Sequence, residues 1–397
     1  MNRFNRVILI VLDGVGVGAV EDFPFQTSSF RDVLQIEKDT KLPNLSKLGV
    51  NHYLNNNSEN YKIEGYVSKC KLSSNFADSW AGHWELAGVT LDEQYSYYWE
   101  DGFQQEVIKH FEESTGLKVI GNKAFYHRNE VIYDYLQEHK DTPNSVIILT
   151  EKGLESIRTF GIYALMDKIS LNEQYDICEI AANSLSRYNN IIGRIGCRPL
   201  IENVDGSIDV PHLNRKDFLM FNPPNKTLLK ELSKANISTY AAGKVWAMFR
   251  GEAIKESIYT RSNDESVEAL YNYMENVSSG LIFVNLNDFD AKYGHYFDTH
   301  GWAKAIELFD FQLKFVMSKM KADDLLIICS DGHGCDALYT GLHTREYSPL
   351  LIFHKNINNG RRLQKNYQLC DIAATIADNF NISYSLKGKS FLKEIFI

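Results

Sequence analysis

Short continuous apolar runs recur along the chain, and several are closed by an acidic residue. Val7–Leu12 stops at Asp13, Leu281–Leu286 leads into Asp288 and Asp290, and Leu325–Ser330 stops at Asp331. Runs of this length, rich in Ile, Val and Leu, predict strands buried on both faces. Between them apolar residues return at helical spacing, over Asn44–Leu48, Ser266–Met274 and Trp302–Met320. Strands alternating with helices predict an α/β fold, a mostly parallel sheet flanked by helices. Ligands of such sheets gather at the carboxyl ends of the strands, so three strand ends bearing carboxylates already place a site.

The middle of the chain has another texture. From about Tyr95 to Asn214 the residues Tyr, Asn, Glu and Lys become frequent, and no apolar run ends in a lone carboxylate. Val146–Leu149 and Ile191–Ile195 read as strands, Gln104–Glu113 and Tyr175–Tyr188 as helices. The expectation is a smaller α/β domain inserted into the core: residues 1–95 open the core, 96–214 form the insert, and 215–397 complete the core, which resumes near Asn222–Pro224. The polar stretch Asn55–Asn60 reads as a loop.

Composition narrows the classes. The length of 397 residues exceeds what one hydrophobic core usually serves. A net charge of −9 with no block of Lys or Arg argues against nucleic acid as a partner, since a sequence-independent binder needs a basic face. No apolar run approaches the twenty or so residues that span a bilayer. Val7–Leu12, behind Arg3 and Arg6, is too short for the core of a signal peptide, so a cytoplasmic protein without a membrane partner is expected. Six dispersed cysteines without a C-x-x-C pair argue against a disulfide scaffold or a structural zinc site. No feature of the sequence sets an oligomeric state.

The candidate chemistry lies in hard metal ligands spread over the two ends of the chain: Asp13, Asp290, His295, Asp331, His333 and His343. Carboxylates and imidazoles without thiolates suit Mn, Mg or Zn. Together these groups would serve two divalent ions sharing a bridging oxygen. Singly, an Asp at a strand end is often a helix cap and a His a satisfied polar residue; the joint placement at strand ends carries the reading. A nucleophile candidate, Ser79, stands in Asp78-Ser79-Trp80-Ala81-Gly82-His83-Trp84-Glu85. A dication can hold such a hydroxyl as an alkoxide and aim it. Asp78-Ser79 also reads as a helix cap ahead of Trp80–Leu86, which would turn the positive end of the helix dipole toward a phosphate. Gly14-Val-Gly16-Val-Gly-Ala19 formally fits a dinucleotide-binding loop, with Asp32 downstream. That reading presses the Asp13 carboxylate against a pyrophosphate and leaves the later Asp and His motifs idle.

A series of motifs runs in order from end to end: Val11-Leu-Asp-Gly-Val-Gly-Val-Gly18, Leu42-Pro-Asn-Leu45, Gly82-His-Trp-Glu85, Gly121-Asn-Lys-Ala124, Gly193-Arg194, Arg198-Pro199, Asn214-Arg215 and Gly243-Lys244. Asp288-Phe-Asp290, Tyr293-Gly-His295, His333-Gly-Cys-Asp336 and His343-Thr-Arg-Glu-Tyr347 complete it. In these the chain resembles the phosphopentomutases, members of the alkaline phosphatase superfamily of two-metal phosphotransfer enzymes. The resemblance implies an alkaline-phosphatase-like core and a cap closing over a small phosphorylated sugar. It also implies two divalent ions, with Mn2+ expected, a sugar bisphosphate activator, and interconversion of (deoxy)ribose 1-phosphate and 5-phosphate. The metal-site residues of the family fall on Asp13, Asp290, His295 and His343, and its phosphorylated, metal-contacting Thr falls on Ser79. Asp331 and His333 are expected to complete the ligands, and Arg194 and Lys244 to bind substrate.

The chain departs from the family pattern chiefly in recognition residues. Gly332 separates Asp331 from His333, which the family keeps adjacent, so distortion of one metal site is an open expectation. Phe76-Ala77-Asp78-Ser79 lacks a cation ahead of the nucleophile, and Tyr293-Gly-His-Tyr296-Phe297 lacks two more. In the insert His127-Arg-Asn-Glu130 and Arg158-Thr-Phe-Gly-Ile162 replace segments that in the family are small and polar. Losing a polar partner shifts selectivity by orders of magnitude. The alternative is therefore a phosphatase or phosphotransferase of the same superfamily acting on another small phosphorylated metabolite. A non-catalytic relative using the fold as a binding module is the third reading.

Overall fold

Arg6–Leu12 is buried at every position and lies at the centre of a nine-stranded sheet. In this computed structural model, which describes residues 4–54, 62–91, 102–125, 128–151, 158–189, 191–211, 214–220, 222–357 and 359–395, it pairs in parallel with Gly280–Leu286 on one side and Asp324–Cys329 on the other. The register sets Leu12 beside Leu286 and Val11 beside Cys329, so the residues that follow each strand emerge together at one edge. β-branched and Leu side chains on both faces explain the unbroken burial, because helices cover the sheet on each side. Beyond Gly280–Leu286 the sheet continues, still parallel, through Thr239–Ala242 and Glu256–Ile258. On the other flank Ser348–Phe353 runs antiparallel to both of its neighbours, Asp324–Cys329 and Tyr66–Lys71.

The helices carry the sequence signals expected of them. Ser262 caps Asn263–Asn276 and Asp298 caps Thr299–Lys319, each accepting a hydrogen bond from the third residue on. Trp302, Ile306, Phe309, Leu313 and Val316 line the buried stripe of the latter helix, where Trp302 meets Phe30 and Phe289. Asn44–Leu48 is helical as Pro43–Lys47, with proline at the first turn where a missing N–H costs nothing.

The chain divides into two compact units, one of residues 1–92 with 223–397 and one of residues 93–222. The second has its own six-stranded sheet. Lys118–Phe125 and Ser145–Glu151 are parallel, Thr159–Leu165 is antiparallel to the latter, and Arg194–Glu202 is parallel to Thr159–Leu165. Helices Gln105–Thr115 and Leu171–Ser184 pack on it, the second opened by a capping box between Ser170 and Glu173. Two readings of this region change. The strand expected over Ile191–Ile195 starts at Arg194 and runs to Glu202, because the Ile191 and Ile192 N–H groups donate to Tyr188 O at 2.8 Å in the turn before it. Ser145–Glu151 does end in a carboxylate, one turn of alternation later than the apolar run implied. Asn55–Asn60, His127 and the junction near Tyr95 lie outside the described residues, as do the side chains of 128–130. Among the described residues no helix is long and apolar enough to cross a membrane.

Candidate active site

The three neighbouring strand ends deliver Asp13, Asp290 and Asp331 to one edge of the core sheet. Asp13 N–H donates to Leu286 O at 3.1 Å, which locks the residue beside the strand that leads to Asp290. Asp290 sits in the turn Phe289–Tyr293, fixed by reciprocal bonds between Asp288 and Asn263: Asn263 N donates to Asp288 Oδ2 at 3.0 Å and Asp288 N to Asn263 Oδ1 at 2.9 Å. His343 lies on a two-residue strand opposite Gly334–Cys335, with Cys335 as its register partner.

These residues form two groups, Asp13 with Asp331 and His333, and Asp290 with His295 and His343. In the first, all three side chains are buried, and His333 Nε2 lies 3.1 Å from Asp331 Oδ2 and 4.0 Å from Asp13 Oδ1. In the second, His295 Nε2 lies 3.4 Å from Asp290 Oδ2, and His343 Nε2 3.5 Å from Asp290 Oδ1. The groups abut: the His333 and His343 rings stack with centroids 4.1 Å apart, and His295 and His343 with centroids 5.1 Å apart. Gly332 adopts φ +82°, a left-handed turn that a Cβ would strain, and through it His333 stays buried beside Asp331.

Three imidazoles share one orientation. Nδ1 of His295 donates to Gly341 O at 2.7 Å, that of His343 to Ala77 O at 2.8 Å, and that of His333 to Gly334 O at 3.1 Å. A proton held on Nδ1 by a carbonyl leaves the Nε2 lone pair facing the carboxylates, which is how metal-ligating histidines are ordinarily oriented. Asp13 Oδ1 and Asp290 Oδ1 are buried and, among the described residues, accept no hydrogen bond. An acceptor-rich cluster of this kind fits divalent cations and is poorly satisfied by protein groups alone.

Charge crowding shows in the titration of the groups. Burial, then the Asp331 charge, pushes Asp13 up to about 7. For Asp331 burial acts in the same direction, but His333 and Lys244 outweigh it and hold it well below the carboxylate range. His295 and His343 do the same for Asp290 against its burial. Lys244 is half-buried, and the carboxylates of Asp13, Asp331 and Asp290 keep its ammonium charged.

Ser79 opens the helix Ser79–Leu86, capped by Asp78, whose side chain accepts from Ala81 N at 2.8 Å. That cap is the alternative reading of Asp78-Ser79, and it coexists with a half-buried Ser79 hydroxyl. Lys244 Nζ donates to Ser79 Oγ, pairs with Asp13 and lies 3.8 Å from Asp331 Oδ2. The helix packs so closely that a Cβ on Gly82 would stand 1.8 Å from Asp331 O. Arg194, the other expected substrate ligand, belongs to the second unit. There its guanidinium pairs with Glu151 Oε2 and Asp217 Oδ2, both at 3.3 Å.

Two contributors escaped the sequence reading. Glu346 accepts from Ser29 N and Ser29 Oγ at 2.9 Å and from Thr344 Oγ1 at 2.7 Å. Gly16 and Gly334 press against it, so that a Cβ would fall 2.2 and 2.4 Å from its carboxylate oxygens. Gly16 thus makes room for this carboxylate and Gly14 for Asp290, and no helix opens there until Ser29. Glu151 is the second, a strand-end carboxylate whose apolar run stops two residues short of it.

The sequence pattern of the Metalloenzyme superfamily matches residues 5–384. Curated relatives include a phosphopentomutase of Caldanaerobacter subterraneus subsp. tengcongensis, 38% identical over 396 residues and covering 98% of either chain. Another phosphopentomutase, from Clostridioides difficile, is 36% identical over 400 residues, or 99% of this chain and 100% of its own. The chain belongs to the phosphopentomutase family. Divalent-metal binding goes with that membership. The fold also resembles Leishmania mexicana phosphoglycerate mutase, with a TM-score of 0.52 at 11% identity over 98% of this chain and 97% of that one. The mixed α/β core expected from the strand and helix pattern agrees with both.

Proposed function

We propose that this protein is a metal-dependent phosphomutase interconverting (deoxy)ribose 1-phosphate and (deoxy)ribose 5-phosphate through a phosphorylated Ser79. The observation carrying the reading is the meeting of Ser79 Oγ, Lys244 Nζ and the Asp13 group at one point of the sheet edge. Asp13, Asp331 and His333 would hold one cation and Asp290, His295 and His343 the other, and Ser79 stands beside the first group through Lys244. Mn2+ is the proposed metal and a sugar bisphosphate the proposed activator. Such cations neutralise phosphoryl charge and lower the pKa of a hydroxyl brought against them.

The residues of the chain account for the rest. Ser79 begins as its phosphoryl ester and gives the phosphoryl group to the 5-hydroxyl of a sugar 1-phosphate. The P–O bond to Ser79 Oγ breaks as the bond to the sugar oxygen forms, and the proton lost by that hydroxyl balances the one returned to the serine. The bisphosphate then donates its 1-phosphoryl group to Ser79, leaving the 5-phosphate. Lys244 keeps a positive charge beside Oγ throughout, which favours the charge spread over the transferring phosphoryl oxygens. Arg194 is the proposed contact to the distal phosphate of the substrate.

The test is a coupled assay of the Mn2+-loaded protein on ribose 1-phosphate, following ribose 5-phosphate and free phosphate together. Ribose 5-phosphate without free phosphate is expected, with dependence on a bisphosphate primer and loss of at least about 10³-fold in Ser79→Ala. Free phosphate as the main product would replace the mutase with the hydrolytic alternative.

A further inference from the structure

His83 is buried in the first turns of the helix that carries Ser79, and Asn285 is buried on the strand Gly280–Leu286; neither belongs to the two ligand groups. His83 Nδ1 stands 2.8 Å from Ser79 O, a contact with a carbonyl oxygen that requires the proton on Nδ1. In the uncharged ring Nε2 is then an acceptor and needs a donor. It faces Asn285 Oδ1 at 3.1 Å, while Asn285 Nδ2 is buried with no partner among the described residues. Turning the Asn285 amide end for end answers both, because Nδ2 then donates to His83 Nε2 and no buried donor is stranded. The ring is further fixed by stacking on Phe283, with centroids 6.0 Å apart and planes 14° from parallel.

Asn285 is also the floor under Lys244. A Cβ on Gly243 would lie 2.4 Å from Asn285 O, so the Gly243-Lys244 turn rests directly on the backbone of this residue. One residue therefore spaces two others: its main chain sets the height of Lys244, and its side chain, through His83, sets that of Ser79. We propose that His83 and Asn285 form an uncharged brace that positions Ser79 against Lys244, with His83 held as the Nδ1–H tautomer. His83 is a positioning residue, touching the serine carbonyl and not its hydroxyl. The proposal rests on Ser79 as the phosphoryl carrier.

Two measurements test it. Imidazole ¹⁵N spectra of the full-length protein, loaded with diamagnetic Mg2+ near pH 7.5, read the tautomer directly, the His83 ring being the one lost in His83→Gln. A neutral ring with its proton on Nδ1 is expected; a proton on Nε2, or on both nitrogens, overturns the brace. In the mutase assay His83→Phe and Asn285→Leu should each lower kcat about 10- to 100-fold with KM within about threefold, the range for partners that orient site residues. The double variant should be no worse than the poorer single one, since both cut the same link. His83→Asn, which can still donate to the Ser79 carbonyl, should recover part of the loss. Equal melting temperatures separate positioning from unfolding. Unchanged kcat in both single variants, or losses that simply add, would sink the proposal. Inactivity of the parent protein on ribose 1-phosphate would overturn the mutase reading alone, because the tautomer measurement needs no turnover.

Discussion

Arg6 and Asp324 are both fully buried at the amino ends of adjacent central strands. Arg6 Nε donates to Asp324 Oδ1 at 2.9 Å, and its Nη1 donates to Met274 O at 2.7 Å and Val277 O at 2.6 Å. Every guanidinium edge is used, so the pair ties the strand to the end of the helix Asn263–Asn276. Replacing one partner strands the other charge. Asp324→Ala is expected to cost about 3–5 kcal/mol, read as a lowered denaturation midpoint. In the second unit His139 is the pH-sensitive residue. Leu165 N donates to its Nε2 at 3.2 Å and its Nδ1 faces Ser145 Oγ at 3.1 Å, an arrangement only the neutral ring can keep. Burial, aided by the Lys168 charge, lowers its pKa from 6.5 to about 4. The unfolded chain therefore gains a proton near pH 6.5 that the folded unit refuses until about pH 4. Its contribution to stability is complete above pH 6.5 and is lost as the pH falls through 4. Urea midpoints measured across that window should fall with pH, and His139→Gln should flatten the slope.

At the scale of elements, the helix Ser79–Leu86 is positioned by what it lacks. Gly82 lets it lie on the carbonyl of Asp331, and Ala at that position would force helix and strand end apart. Gly82→Ala is expected to destabilise the fold by about 1–3 kcal/mol, the usual cost of overpacking, and to weaken metal retention, measured by melting and by metal content after dialysis. The sequence made the strands legible because burial on both faces leaves nothing to alternate, and it made the candidate carboxylate ligands legible because Asp13, Asp290 and Asp331 close such strands or follow them closely. It could not reveal what Glu346 does, because its neighbours Ser29 and Gly16 are more than three hundred residues away. His83 was visible inside Gly82-His-Trp-Glu85 but not its work, since Asn285 sits in a run that reads as pure strand. Arg194–Glu202 was missed at its amino end because two isoleucines serve a turn instead of a sheet.

Across the whole molecule, the two units differ in how their contacts are distributed along the chain. Arg6–Leu12 pairs with strands beginning at Gly280 and Asp324, whereas Lys118–Phe125 pairs with Ser145–Glu151 shortly after it. Long-range pairing is slow to form because a large loop must close before any contact rewards it. Pulsed hydrogen exchange during refolding should therefore find amides of Val146–Leu149 protected before those of Val7–Leu12. Simultaneous protection would show that the two units fold as one.

During synthesis the same arrangement becomes an order of events. The segment from 93 to 222 leaves the ribosome as a contiguous unit, while the opening strand and Asp13 are already made and have no partners. Asp290 arrives late, and Asp331, His333 and His343 later still. Neither group is complete until His333 or His343 has been translated. A nascent chain that has not yet reached His333 accordingly offers neither group, complete, to a divalent ion.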